Sequence, residues 1–199
     1  MTALSLPMMH LADVTVDPLR ALALRARAGE ALALTQLYER TRDQAWRVLY
    51  RVVGPSADLE DLLQESYVHL MKALKGYRGD SKVTTFVHRV CVNVGLMYVR
   101  SRRRRPETLT ADLPDGVAPE TSDPERAAQV KQASKLVQQA LATLSQEKAE
   151  VFTYHELLGL KPEEIAELVD APVNTVRSRL NRARLDFADA VQGLRGPLP

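Results

Sequence analysis

The sequence predicts an all-α fold: two small helical domains joined by a flexible acidic linker. Three observations predict it. Aromatic residues make up only 5% of the 199 positions and glycine occupies only 9 of them, which disfavours a sandwich or barrel of short strands. Apolar residues recur at helical spacing through most of the chain. One stretch, residues 106–126, abandons that spacing and carries six acids against one Arg; an acidic, proline-bearing run of this kind reads as a linker. The expected divisions are a mobile tail over 1–17, a first domain over 18–105, the linker over 106–126 and a second domain over 127–199.

Each element follows in order. A first helix starts at Asp17-Pro18, with Asp as N-cap and Pro at the first helical position, and Arg27-Ala28-Gly29 interrupts it. Leu34, Leu37, Tyr38, Ala45, Trp46, Leu49 and Val52-Val53 then mark a second, amphipathic helix that stops at Gly54-Pro55-Ser56. The third helix runs from about Ala57 to Leu74, capped by Ser56 or Asp58, with Leu59, Leu62, Leu63, Leu70 and Leu74 as its core stripe. The segment from Gly76 to Ser81 is a turn. A fourth helix spans about Thr84 to Arg103, with Phe86, Val87, Val90, Cys91 and Val94 inside, and Pro106 ends it. Beyond the linker, helices are expected at about 127–144, 146–158, 162–169 and 173–191, with Ser145 capping the second and Pro162 opening the third.

The bulk numbers exclude several function classes. Net charge is only +2, so any nucleic-acid surface must be local. The single cysteine, Cys91, forms neither an internal disulfide nor a cysteine-based zinc site, and its apolar surroundings make it a buried structural thiol in a reducing cytoplasm. The N-terminus does not read as a signal peptide, and no apolar run reaches the ~20 residues of a membrane span. No phosphate-binding loop, dinucleotide fingerprint or nucleophile elbow is present. The four His show no metal-ligand spacing. The chain therefore reads as a protein without catalytic residues, metal or cofactor.

Four constellations carry chemistry. In Pro162–Leu185, two short helices flank the turn 169–172, with Ile165, Ala166, Leu168, Val169, Val173, Val176 and Leu180 facing inward. Asp170 stands in the turn, where a left-handed conformation is needed. This is a helix-turn-helix pattern. Its second helix offers Asn174, Thr175, Arg177, Ser178, Asn181 and Arg182, types that read base edges or hold phosphates. An ordinary helical hairpin with a solvated basic face is the competing reading. The run Arg100, Ser101, Arg102, Arg103, Arg104, Arg105 suits both a helix C-terminus and a phosphate-binding patch. Asp58, Asp61 and Glu65, with Gln64 beside them, form an acidic face. The helix dipole alone accounts for Asp58 and Asp61; Glu65 points to a surface for a basic partner. Finally, Tyr77, Phe86, His88 and Asn93 gather near the basic helix, where aromatic and polar groups can hold unstacked bases. Phe86 alone would more often be core.

In series these pieces resemble the extracytoplasmic-function group of the sigma-70 family, over roughly Leu19–Val191. The stretch Asp58–Arg105 (DLEDLLQESYVHLMKAL, YRGDSKVTTFVHRVCVNV, then the Arg run) resembles region 2. The stretch Leu141–Phe187 (LATLSQEKAEVF, GLKPEEIAELV, APVNTVRSRLNRAR) resembles region 4. The resemblance implies an alternative sigma factor that binds core RNA polymerase, recognises −10 and −35 promoter elements and melts DNA. It implies that Asp58, Asp61, Gln64 and Glu65 dock on the clamp helices of the largest polymerase subunit. It places His69, Ala73, Tyr77, Phe86, His88, Asn93, Arg100, Arg102 and Arg103 on the single-stranded −10 element, and Asn174, Thr175, Arg177, Ser178, Asn181 and Arg182 on the −35 duplex. Phe86 stands where family members often carry Trp. Relatives of this group are often held by an anti-sigma factor, so one is expected as a partner, with no membrane insertion and a bacterial cytoplasmic location. The rival readings are a free-standing dimeric regulator and a sigma-like interaction protein. As a relaxed coil the linker spans about 25 Å and stretched about 70 Å, so two separated DNA sites lie within reach of the two domains.

Overall fold

The computed structural model describes residues 18–79, 82–104 and 124–195. The N-terminal tail with its Asp17 cap, Asp80-Ser81, Arg105 with the linker to residue 123, and the last four residues lie outside that range. Among the described residues the elements are all helical. They are α1 (Pro18–Arg27), α2 (Ala31–Val53), α3 (Leu59–Leu74), α4 (Val83–Arg104), α5 (Pro124–Leu141), α6 (Gln146–Phe152) continued by a π-helical turn (Thr153–Leu157), α7 (Pro162–Val169) and α8 (Val173–Arg195).

Helices α1–α4 form the first lobe, with α2 packed against the other three. At Gly95 α4 lies tight against α2: a Cβ there would lie 2.9 Å from Val52 Cγ1 and 3.2 Å from its Cβ. Most of the α2 stripe is buried as the periodicity requires: Leu37, Ala45, Leu49, Val52 and Val53. Two polar groups sit inside this core and satisfy one another. Tyr67 and Thr41 share a 2.7 Å hydroxyl–hydroxyl bond, and the Thr41 hydroxyl donates to the Leu37 carbonyl at 2.7 Å. Burial pushes the Tyr67 phenol up to about 12. Cys91 is 1% exposed. It lies beside a small void walled by Ser66, Tyr67, Leu70, Val87 and Val90, and burial pushes its thiol up to about 12.

The second lobe packs α8 against α5, α6 and α7. Phe152 stacks on Phe187 with ring centres 4.4 Å apart, and Lys148 Nζ pairs with Asp186 at 2.5 Å beside them. The start of α7 is fixed by Pro162 in its first turn and by Glu164, whose carboxylate accepts the Lys161 backbone N–H at 2.8 Å. Asp170 ends α7 in the left-handed region, φ 50° and ψ 55°, as the turn pattern requires.

The structure departs from the sequence expectations at several ends. Helix α3 begins at Leu59, and Asp58 at its N-cap makes no side-chain cap bond; the Ser56 hydroxyl instead accepts the Asp58 backbone N–H at 3.2 Å. Ser145 has the extended N-cap backbone of α6 but makes no side-chain cap bond either. Helix α5 starts at Pro124, inside the stretch read as linker, because proline in a first turn initiates a helix as readily as it breaks one. The helix expected over 146–158 changes to a π turn at Thr153. Val151, Phe152, Thr153 and Tyr154 are all buried, so this segment has no polar face to mark its period.

One set of buried apolar side chains runs through both lobes without a break. Helix α4 touches α5, α6 and α7, and α2 touches α5 and the π turn. Gly54, at φ 68°, lies so near α5 that a Cβ there would meet Ser134 Cβ at 2.8 Å.

Candidate nucleic-acid interface

The helix-turn-helix is assembled as a supported hairpin. Ile165 and Leu168 of α7 and Val176, Leu180 and Ala183 of α8 are buried. Their burial turns Asn174, Arg177, Ser178, Asn181 and Arg182 to solvent and leaves Thr175 half-buried. Besides Lys148–Asp186, three ion pairs fasten α8 to its neighbours: Arg177 to Glu163 at 2.7 Å, Arg179 to Glu147 at 3.0 Å and Arg184 to Glu156 at 2.7 Å. The Glu163 carboxyl is held below the usual range first by its own backbone N–H and then by Arg177. The Ser178 hydroxyl donates to the Thr175 carbonyl at 3.0 Å. The hairpin thus presents one face of exposed cationic and amide side chains, the geometry of a helix that can enter a major groove.

The acidic face of α3 divides. Asp61, Gln64 and Glu65 are exposed, and Glu65 has His69 beside it at 3.7 Å. Asp58 is drawn away from them to the end of α4, where it accepts the Tyr98 hydroxyl at 2.5 Å and lies 3.6 Å from Arg102. Asp58 therefore belongs to the basic end of α4 as much as to the acidic surface. Sequence spacing along α3 alone could not detect this, because Tyr98 and Arg102 approach through tertiary packing.

The aromatic and polar set splits as well. Ala73 is exposed and His69 half-exposed on α3. Tyr77 is only 4% exposed, packed against Phe86 with ring centres 5.2 Å apart, and its carbonyl accepts from Arg27 at 2.8 Å. In this conformation Tyr77 is a core residue and Phe86 is half-buried. His88 is held by Gln44, whose amide N–H donates to Nε2 at 2.7 Å; burial, then the charge of Arg51, lowers its pKa. Asn93 is half-buried, and its Oδ1 is buried without a hydrogen-bond partner.

Arg100, Arg102 and Arg104 at the end of α4 line a surface cleft of about 730 Å³ with Asp58, Met97, Tyr98 and Ser101. Arg102 donates to the Tyr98 hydroxyl at 2.6 Å and lies over its ring at 5.4 Å. Tyr98 is the residue that sequence reasoning missed; its place one turn before Arg102 was the available signal. Arg100 and Arg103 do something the sequence does not announce. Arg100 bonds the Gln146 side chain and lies 3.4 Å from the Leu144 carbonyl, and Arg103 donates to the Ala142 carbonyl at 3.2 Å. Both reach the second lobe. Among the described residues no group of three His, Cys, Asp or Glu could hold a metal, and no helix is long and apolar enough to cross a membrane.

Comparison with known proteins gives the following. Residues 37–105 match the family described as Sigma-70 region 2, and residues 134–187 match Sigma-70, region 4. The chain is 33% identical to the ECF RNA polymerase sigma-E factor of Salmonella typhimurium and to that of Escherichia coli K12. Each likeness extends over 177 residues, 85% of this chain and 92% of the relative. It is 30% identical to the ECF RNA polymerase sigma-E factor of Haemophilus influenzae over 182 residues, 88% of this chain and 96% of the relative. Among solved structures it resembles CnrH in complex with the cytosolic domain of CnrY. That likeness has a TM-score of 0.51 at 23% identity, covers 85% of this chain and 94% of the other, and is one of fold.

Proposed function

The chain belongs to the sigma-70 family of RNA polymerase sigma factors, in its extracytoplasmic-function group, and from that premise we propose how its surfaces divide the work. A sigma factor directs promoter recognition and initiation; catalysis resides in the polymerase. In this reading residues 18–105 form the region 2 domain and residues 127–199 the region 4 domain. The exposed face of α8, with Asn174, Thr175, Arg177, Ser178, Asn181 and Arg182, reads the −35 duplex in its major groove. The exposed Asp61, Gln64 and Glu65 of α3, with Asp58 at their edge, dock on the clamp helices of core polymerase. His69, Ala73, Tyr77, Phe86, His88 and Asn93 accept an unstacked base of the −10 element, while Arg100, Arg102 and Arg103 hold the melting strand by its phosphates. Because Tyr77 is buried against Phe86, base capture requires that the ring pair open. The protein acts in the bacterial cytoplasm, and an anti-sigma factor is its expected regulator.

The observation that carries the reading is the pair of matched regions in series, with the recognition-helix side chains exposed on a hairpin whose inner face is buried. The test is run-off transcription with purified chain, core polymerase and a pool of genomic promoters. Sequence-selective transcripts that depend on the chain are expected. Their absence, with core polymerase also unbound, would favour a free-standing helix-turn-helix regulator.

A further inference from the structure

Tyr98 ties the end of α4 to the connection between α2 and α3. Its hydroxyl lies 2.5 Å from the Asp58 carboxylate, 2.6 Å from Arg102 Nη1 and 3.1 Å from the Ser56 hydroxyl. A phenol has one proton to give and two lone pairs to offer. A carboxylate only accepts and a guanidinium only donates, so the three bonds sort themselves. Tyr98 donates to Asp58 and accepts from Arg102 and Ser56. The Ser56 hydroxyl in turn accepts the Asp58 backbone N–H at 3.2 Å. Burial, then the bond to Asp58, raises the Tyr98 pKa, so the donated proton stays in place. Arg102 stands one turn further along the same face of α4. Its guanidinium lies 5.4 Å from the centre of the Tyr98 ring. Asp58, at 3.6 Å, is beyond hydrogen-bond distance of it; of these two partners, the phenol makes the directional bond. The Arg102 side chain is 28% exposed, in the wall of the cleft that Met97, Ser101 and Arg104 also line. Ser56 and Asp58 would pin the helix end through Tyr98 without any third member. The third member is a cation in the wall of an open cleft.

We propose, resting on the strand-holding role given to Arg102 above, that Tyr98 is its positioning residue: ring and hydroxyl hold the guanidinium at the cleft, so that a strand phosphate meets an arginine already in place. An arginine loose on a helix surface samples many rotamers, and the strand that orders it bears that cost. Here the cost is met on folding, by a phenol that is itself seated on Asp58 and Ser56. Tyr98 need not touch the strand. It acts through Arg102, and its effect vanishes where Arg102 is absent.

The test uses holoenzyme assembled from the full chain and core polymerase. Its probe is a promoter recovered by run-off, with the −10 segment held open by mismatches, and it reads equilibrium binding over a range of salt. Tyr98→Phe keeps the ring and removes the hydroxyl; circular dichroism checks that the helices remain. This change is expected to weaken binding by about two- to tenfold, the ordering cost of one long side chain. The salt slope stays the same, because the arginine still reaches its phosphate. Arg102→Ala is expected to weaken binding and also to shallow the slope by about 0.7, the share of one phosphate on a single strand. With Arg102→Ala already present, Tyr98→Phe should cost nothing further. Ser56→Ala unseats the phenol but leaves its ring and hydroxyl. It should follow the same rule, and it decides the matter if Tyr98→Phe fails to fold. A loss of equal size with and without Arg102 overturns the proposal, since Tyr98 then serves only the fold. Full binding by the Tyr98 and Ser56 variants, while Arg102→Ala still weakens it, also overturns the proposal and leaves the strand-holding role of Arg102 standing. If Arg102→Ala itself binds normally, that role fails and the proposal fails with it.

Discussion

At the scale of single residues, the consequences follow from which groups are satisfied and which are exposed. Arg177 is exposed on α8 with Glu163 as its ion-pair partner. Arg177→Ala is expected to weaken −35 duplex binding by about 1–3 kcal/mol while leaving nonspecific binding nearly unchanged; equal losses on specific and random duplexes would reduce it to a phosphate contact. Thr41 and Tyr67 are a closed pair inside the first lobe. Thr41→Val keeps the shape but strands the phenol, so urea unfolding should show a loss of about 1–3 kcal/mol. His88 titrates in the opposite sense to a salt-bridged histidine. Its folded pKa lies below the ordinary value, because burial and then Arg51 disfavour the charged ring. Protonation would also remove the acceptor that Gln44 uses. The unfolded chain therefore takes up the proton first, and stability present above the unfolded value of about 6.5 is lost as pH falls below it. His88→Gln should flatten that part of the stability profile; an unchanged slope would assign the acid sensitivity elsewhere.

At the scale of elements, Gly95 decides how closely α2 and α4 approach. A methyl group there would stand 2.9 Å from Val52 Cγ1 and 3.2 Å from its Cβ, and valine is stiff at that bond. Overpacking costs about 1–3 kcal/mol and helix propensity returns about 1 of it. Gly95→Ala should therefore destabilise the first lobe modestly, as a lower denaturant midpoint at unchanged slope. A gain in stability would mean that the helices can separate without loss. Most elements were legible in the sequence because their faces alternate between buried and exposed at helical period. The stripes of α2 and α3, the break at Gly29 and the left-handed Asp170 belong to that class. The π turn was not legible, since four consecutive buried residues leave no period to read. Neither Ser145 nor Asp58 caps through its side chain, although both stand at N-cap positions; residue type marks the place, while the bond depends on the rotamer that packing allows. Pro124 was misassigned because proline opens helices as well as ending them.

At the scale of the whole molecule, the exposure of Asn174, Arg177, Ser178, Asn181 and Arg182 on α8 and of Asp61, Gln64 and Glu65 on α3 could be anticipated from residue type and spacing, since each set lies on a single helix. What local spacing could not show is which surfaces meet. Asp58 is committed to Tyr98 and Arg102, Tyr77 is folded under Phe86, and Arg100 and Arg103 bond across the lobes. Each of these depends on a partner from another element, brought near by tertiary packing. The arginine run at the end of α4 illustrates the point. As sequence it is one basic patch, yet Arg102 belongs to an aromatic and acidic cluster of its own lobe while its neighbours serve as latches to the other.

Cys91 adds a consequence of a different kind. Every wall of its pocket belongs to the first lobe, and at neutral pH a thiol with its pKa near 12 is almost never ionised. Since the thiolate is the form that reacts, the residue is chemically silent until its own lobe opens. The rate at which an alkylating reagent captures it is then a clock for unfolding of that lobe. Parting the two lobes, for instance with Ser134→Trp, whose ring would collide with Gly54, should leave the clock unchanged. An accelerated capture in that variant would mean that the halves of the molecule lend one another their stability.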